Sequence, residues 1–381
     1  MHEPKALLNP VPRIAAFDHV RGLAVIFMII CHTSIGFGSA AFNETLYGWV
    51  AANVFGTGPA APVFMLLMGL FFAYPVDKPF VVKVVRGFKL FTLGILLNIA
   101  HGVIPYFLAD QFNPGALNGF VGLDEKVSYA DGASVLWQLF YKLDILPFAG
   151  IAYILMACLQ QFIHKLWQWA VISFFIVLMS PYVWGLGSSY GFFYHAFLQP
   201  LWGSDYVPGL RGDNDFPAFP WLIYPIAGFI LGELIKSGMN NKQLMRAMFR
   251  YGAGLMAASC LWFFMGGTTQ FGDYYRMYPG GSFITLGFAL VWIAMFMWFT
   301  EKGWAQSALE KLNFWSKNIT LVYCVQWVLI GFCAITLGLR YVDSELTMIA
   351  LTVLVTVASY FVTVCLSRTE GFMSFLNLFT K

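Results

Sequence analysis

The chain has 381 residues, of which 59% are hydrophobic and 18% aromatic, while only 11% are charged and the formal net charge is +3. Soluble domains carry about 25% charged residues, so this composition excludes an ordinary soluble protein. Apolar windows of about 20 residues recur from end to end, and each is long enough to cross the hydrocarbon core of a bilayer. We therefore predict an all-α, polytopic integral membrane protein that forms a single domain over residues 1–381.

Ten transmembrane helices are predicted along the chain. In order, they cover residues 16–38, 50–74, 87–108, 142–162, 166–184, 217–235, 248–266, 282–300, 318–339 and 346–367. The fourth of them carries Lys142, Asp144 and Pro147 in its first turns. Residues 1–15 and 368–381 form N-terminal and C-terminal segments outside the spans.

The lysine and arginine residues orient these spans. If both termini are cytoplasmic, 16 of these residues fall in inner segments and 4 in outer segments, with Arg21 and Lys142 inside spans. Because short cytoplasmic loops are enriched in Lys and Arg, this distribution predicts that both termini are cytoplasmic. We expect the membrane to be a bacterial inner membrane or an organelle membrane. All six cysteines fall within spans without metal-ligand spacing, so neither a disulfide framework nor a metal site is predicted.

The first span contains two residues that a bilayer disfavours, Arg21 and His32. An ionisable side chain at the centre of a transmembrane helix costs about 2.5–3.5 kcal/mol on insertion scales. Eleven residues make three helical turns, so the two side chains lie on one face, about 16 Å apart. Asp18 precedes Arg21 by three residues and can pair with it. Arg21 alone is also explained as an anchor that reaches the inner headgroups, but that interpretation leaves His32 unexplained.

These residues carry a resemblance to a known superfamily. The segment 13–24, which contains R-x4-D-x2-R-G-L-A, and the following His32 resemble the opening helix of the membrane acyltransferases. That superfamily includes the type 3 acyltransferases and the heparan-alpha-glucosaminide N-acetyltransferase-like proteins. An arginine, ten intervening residues and a histidine form the hallmark of the type 3 branch, and Arg21 and His32 match it.

Weaker similarities follow in chain order. Residues 62–69, 144–153 and 215–221 are similar to segments of the second, fourth and sixth helices of the N-acetyltransferase-like branch. Residues 318–326 resemble a phrase that commonly ends in histidine, whereas this chain has Gln326 at that position. No proton-transfer role therefore carries over to Gln326.

The resemblance implies transfer of an acyl group from cytoplasmic acyl-CoA to a hydroxyl or amine of an extracytoplasmic acceptor. The acetyl group is favoured by the resemblance alone, with acetyl-CoA as donor and no metal. We expect His32 to act as a general base, with Arg21 and Asp18 completing the catalytic set. A covalent acyl-histidine step is an open alternative.

Basic residues near the inner face are candidates for the CoA phosphates, which pair best with Arg and Lys. The predicted set is Arg86, Lys89, Arg250 and Lys317. The alternative for each of them is ordinary positive-inside topology.

The acceptor is expected at the opposite face, where the longer segments 109–141, 185–216 and 267–281 are acidic and aromatic. Such loops suit a glycan or glycolipid, although interfacial aromatic belts have the same composition. The predicted substrate-binding residues are Asp144, Asp213, Asp215 and Gln326. Plain solvation of an outer loop is the alternative for the two aspartates at 213 and 215.

Two other classes of protein remain open. A proton-coupled secondary transporter would use Arg21 and His32 as substrate and proton sites, but it predicts inverted repeats, which the sequence does not display. The other class is a non-catalytic relative of the acyltransferases, which stays open because Gln326 replaces a histidine.

The expected partners are acyl-CoA, the acceptor and the lipid bilayer, without nucleic acid, and a homodimer is left open. The Gly228-x3-Gly232 pair predicts a close approach of two helices.

Overall fold

The computed structural model describes residues 14–74, 78–112, 136–137, 139–203, 216–266 and 274–380. Its regular elements are helices, as the composition predicts. We number the main ones α1 Ala15–Phe37, α2 Leu46–Ala73, α3 80–112, α4 Ile145–Leu159, α5 Leu166–Val183, α6 Ala218–Lys236, α7 Asn241–Gly266, α8 Pro279–Lys302, α9 Gln306–Lys317, α10 Ile319–Thr336, α11 Glu345–Ser367 and α12 Glu370–Thr380.

Seven of these helices are long and apolar enough to cross a membrane: α1, α2, α5, α6, α8, α10 and α11. The remaining predicted spans fall on α3, α4 and α7, so each of the ten predicted spans lies on a helix of the structure. The protein is an integral, multi-pass membrane protein with an all-α fold. The number of crossings and the sidedness of the termini stay predictions.

One helix boundary differs from the prediction and matters for function. The fourth span was predicted to begin at 142, but α4 begins at Ile145 and residues 142–144 are not helical. The reason is a cap: the Asp144 carboxylate accepts a hydrogen bond from the Ile145 backbone amide at 2.7 Å. An Asp side chain at the N-cap accepts a hydrogen bond from a backbone amide that has no acceptor within the helix. Lys142 and Asp144 are therefore held on a short extended segment at the end of the bundle.

Helix α1 lies at the centre of the bundle and contacts α2, α8, α9, α10 and α11. Its side chains are buried along most of its length, including Phe17, Val20 and Ile29. We call the end of the bundle where α1 begins the lower end and the end where α1 finishes the upper end. Arg21 lies toward the lower end and His32 toward the upper end of this enclosed helix.

Small residues allow the helices to approach closely. A side chain on Gly228 of α6 would collide with the Leu66 carbonyl of α2, and one on Gly69 would collide with the Pro225 carbonyl. The predicted close approach of two helices at Gly228 is therefore confirmed. Helices α7 and α8 approach each other in the same way, because a side chain on Gly252 would collide with the carbonyl of Gly287 and one on Gly287 with the carbonyl of Gly252.

Three of the numbered helices contain a π-helical segment toward the upper end: Ala51–Ala60 in α2, Ile99–Val103 in α3 and Phe332–Thr336 in α10. Such segments are rare and occur often at functional sites. The last two meet each other, and Gly331 lies directly against the backbone carbonyl of His101. The upper half of the bundle is thus the irregular half, and it contains His32.

Candidate functional site

At the lower end, Arg21 belongs to a hydrogen-bonded triad. Its Nε donates to the Ser316 hydroxyl at 2.9 Å and its Nη2 donates to the Asp18 carboxylate at 3.1 Å. The Ser316 hydroxyl in turn donates to the same carboxylate oxygen at 3.1 Å. The pairing of Asp18 with Arg21 is therefore as predicted. Ser316, at the end of α9, is a third member that helical spacing does not reveal.

Arg21 also contacts α2. Its guanidinium lies 4.9 Å from the centre of the Phe71 ring, within the range of a cation–π interaction. Only 23% of its side chain is exposed. The guanidinium is held by protein groups from α1, α2 and α9, so a simple anchor that reaches lipid headgroups does not describe it.

At the upper end, His32 packs on α10. Its ring stacks on Trp327 with the centroids 4.2 Å apart, and it makes an edge-to-face contact with Tyr323 at a centroid distance of 5.9 Å. The His32 Nδ1 atom is buried and has no hydrogen-bond partner among the described residues. The two aromatic rings fix the orientation of the imidazole and leave this nitrogen available to a ligand or a water.

His32 lines a cavity of about 210 Å³ between α1, α2, the start of α4 and the segment before α8. Its lining also includes Cys31, Ser34, Thr57, Phe216, Tyr274 and Tyr275. The exposed residues Asn43 and Asn53 form part of its rim, so the cavity reaches the protein surface. A water takes about 30 Å³ in the liquid, so the cavity has room for several waters or one small polar group of a substrate.

A second histidine and a lysine gather around the same indole. His101, in a π-helical segment of α3, stacks on Trp327 at 5.1 Å, and the Lys142 ammonium lies 5.4 Å from the Trp327 ring. Asn98 fixes the short segment that carries the lysine, because its amide donates to the Lys142 carbonyl at 2.8 Å. Trp327 is thus the common neighbour of two imidazoles and one ammonium group.

Two further polar groups of this end are Asp144 and Gln326. The Asp144 carboxylate is close enough to the Tyr323 hydroxyl to interact with it electrostatically. Gln326 is fully buried, and neither its amide nitrogen nor its amide oxygen has a hydrogen-bond partner among the described residues. An unpaired buried amide is costly, but Gln326 is not among the residues that line the cavity at His32, so its role in substrate binding stays a prediction.

Comparison with known proteins separates the acyltransferase class from the transporter class. A family model described as an acyltransferase domain matches residues 14–368, which include α1 through α11. The chain belongs to the type 3 acyltransferase family. A comparison with curated proteins gives no match. Membership of this family makes the protein a membrane acyltransferase and disfavours the transporter interpretation.

The structure separates the predicted site residues of this acyltransferase into two groups. Arg21 and Asp18 lie together at the lower end, and His32, Asp144 and Gln326 lie around α10 at the upper end. Asp213 and Asp215 lie outside the described residues, so their role stays a prediction. Among the described residues, no group of three or more His, Cys, Asp or Glu side chains could hold a metal ion.

The four residues predicted to bind the CoA phosphates do not form one cluster. Arg86 lies over the Tyr153 ring at 5.3 Å, and Lys89 is one turn further along α3. Arg250 lines a groove between α7 and α8, and Lys317 is exposed at the end of α9. All four lie toward the lower end, and their binding role stays a prediction.

A basic cleft at the lower end was not singled out from the sequence. It has a volume of about 600 Å³ and lies between the ends of α2, α4 and α6 and the starts of α3 and α5. Its basic lining residues are Lys78, Lys83, His164 and Lys236, and the last of them pairs with Glu233 of the same lining at 2.7 Å. From the sequence alone, the three lysines are explained by the topology, because the positive-inside rule already accounts for lysines in inner loops.

Sequence reasoning also missed the aromatic frame around His32. Tyr323 and Trp327 are four residues apart on α10 and therefore share one helix face. This spacing beside Gln326 was the available signal, but only the folded chain shows that the face meets α1.

Replacing Gln326 by leucine separates a structural role from a substrate-binding role. Because the amide is buried without a partner, we expect Gln326→Leu to keep the thermal stability of the protein or to raise it by about 1 kcal/mol. Acyl transfer should nevertheless fall by about tenfold or more, as expected for the loss of one hydrogen bond to a substrate. Unfolding temperature and initial rate are measured on the same preparation, with the exposed Gln306→Leu as control. A stable variant with full activity would remove Gln326 from the site.

Proposed function

We propose that the protein transfers an acyl group, preferably acetyl, from acyl-CoA to a hydroxyl or amine of a sugar-containing acceptor on the opposite side of the membrane. The observation that carries this proposal is the His32 imidazole. Its Nδ1 atom is unpaired among the described residues, and the residue lines a cavity that reaches the surface. The same helix holds Arg21 three turns closer to the other end.

The chemistry follows from a neutral imidazole in this position. His32 accepts the proton of the acceptor hydroxyl or amine while the oxygen or nitrogen attacks the thioester carbonyl. The carbon–sulfur bond then breaks, and the CoA thiolate leaves and is protonated by the imidazolium. The products are the acylated acceptor and CoA. An acyl-histidine intermediate is the alternative route, in which His32 itself attacks first.

The donor is proposed to bind at the lower end. The phosphates of CoA require cationic partners, and Arg86, Lys89 and Lys317 lie at this end. The basic cleft adds further lysines. The Arg21–Asp18–Ser316 triad lies on the same face of α1 as His32. We therefore propose that Arg21 binds the part of the donor closest to the thioester.

The acceptor is proposed to bind at the upper end. Asp144 and Gln326 offer a carboxylate and an amide that can hydrogen-bond to sugar hydroxyls, and Tyr274 and Tyr275 offer aromatic faces at the cavity wall. Asp213 and Asp215, in the predicted outer segment 185–216, complete the proposed set of acceptor-binding residues.

The donor is tested with purified protein and radiolabelled acetyl-CoA. We expect release of CoA and transfer of label to a glycan or glycolipid fraction from the host membrane. Succinyl-CoA and a long-chain acyl-CoA are compared as donors to test the acetyl preference. Turnover of another acyl-CoA alone would correct the acyl group, and no binding or turnover of any acyl-CoA would refute the proposal.

A further inference from the structure

The groove between α7 and α8 differs from the other cavities of the lower end. It has a volume of about 400 Å³, and its walls are apolar except where Arg246 and Arg250 lie. Its lining residues are Met245, Arg246, Phe249, Arg250, Val291, Ala294, Met295 and Trp298. An apolar groove that carries two cationic groups is complementary to an amphiphile with an anionic head.

The groove lies on the outer side of the helix bundle. Phe249, in the predicted span 248–266, is 57% exposed, and Trp298 on α8 is 37% exposed, so we expect both side chains to contact lipid acyl chains. Ala294, in contrast, is fully buried and forms part of the groove floor. Gly252 and Gly287 bring the two helices into backbone contact one turn above the groove. The groove therefore lies beside a close contact of the two helices, and its volume of about 400 Å³ has room for part of an acyl chain.

The two arginines of this groove make no polar contact with the part of the chain that the structure describes. Arg246 and Arg250 are one turn apart on α7, so both side chains lie on one face. Over the ranges that the structure describes, neither of them has an ion pair or a hydrogen bond. The neighbouring Lys242 differs, because it pairs with Glu301 at 3.6 Å. Guanidinium groups without a protein partner are suited to bind phosphate bidentately.

We propose that this groove binds an anionic phospholipid, with an acyl chain along its floor and the phosphate between Arg246 and Arg250. Acyl-CoA offers the same combination of phosphate and acyl chain, and Arg250 was predicted for it from the sequence. The lipid-facing position favours a phospholipid instead, because CoA carries three phosphate groups on a polar body that belongs in water. Lipid binding at such basic sites is electrostatic and headgroup-selective.

The test uses the full-length protein in nanodiscs of phosphatidylcholine mixed with phosphatidylglycerol. Lipids that remain bound after extraction into detergent are identified by native mass spectrometry. We expect phosphatidylglycerol to be enriched on the wild type relative to the bulk mixture. In Arg246→Gln/Arg250→Gln the bound ratio should fall to that of the bulk, whereas the control Lys302→Gln/Arg368→Gln, which changes exposed charges outside the groove, should keep the enrichment.

Two further arms decide between occupants. Met295→Trp fills the groove but keeps both arginines, so it should also lose the enrichment. An excess of acetyl-CoA or palmitoyl-CoA should leave the bound phosphatidylglycerol in place. Unchanged enrichment in the double arginine variant or in Met295→Trp would overturn the proposal, and displacement by either CoA ester would assign the groove to the donor.

Discussion

Replacing His32 by alanine is expected to lower the rate of acyl transfer by about 10²–10⁴-fold, the usual contribution of a general base. The imidazole is held by Trp327 and Tyr323 at the wall of the cavity, and no other described side chain of the cavity lining is a histidine. The loss should appear in kcat rather than in the KM for the donor, because donor binding is proposed at the other end of α1. The measurement is the initial rate of label transfer from acetyl-CoA.

The control for this variant is His195→Ala, since His195 is exposed on a segment of the upper end outside the cavity. We expect it to retain full activity. His32→Gln is a second variant that keeps the size and polarity of the side chain but cannot act as a base at neutral pH, and it should be as inactive as His32→Ala. Undiminished transfer by both His32 variants would leave the enzyme assignment in place but remove His32 from catalysis.

Replacing Gly228 by valine is expected to have the largest effect on stability. The Cβ atom would collide with the carbonyl of Leu66, a backbone group that no rotamer change can move aside. Overpacking costs about 1–3 kcal/mol where side chains can yield, so we expect a loss at or above the upper end of that range. Thermal unfolding in detergent and the yield of monodisperse protein are the measurements.

The matched control is Gly254→Val, because a Cβ atom on Gly254 of α7 meets nothing within 4 Å. This variant should fold and unfold like the wild type. If Gly228→Val had the same unfolding temperature as Gly254→Val, the close contact between α2 and α6 would not be essential to the fold.

The features that could be predicted from the sequence are those set by local spacing. The apolar windows predict the helices, since a span needs about 20 apolar residues whatever its neighbours are. The Asp18–Arg21 pair follows from a spacing of three on one helix. His32 stands out because a bilayer disfavours it, without reference to any other part of the chain.

The features that could not be predicted depend on contacts between distant segments. Ser316 contacts Arg21 although the two are 295 positions apart in the sequence. Trp327 of α10 stacks on His32 of α1 and on His101 of α3. Neither contact leaves a periodic signal in the sequence. The start of α4 was misplaced for a different reason, because the apolar window does not register that Asp144 acts as a helix cap.

The central claim is that donor and acceptor react across the membrane through the cavity at His32. It is tested most directly in sealed proteoliposomes of uniform orientation, with radiolabelled acetyl-CoA on one side and a membrane-impermeant glycan acceptor on the other. We predict that label reaches the acceptor when acetyl-CoA is on the lower side and the acceptor is on the upper side, and that it does not when the two are exchanged. Transfer that requires both substrates in the same compartment would contradict the account.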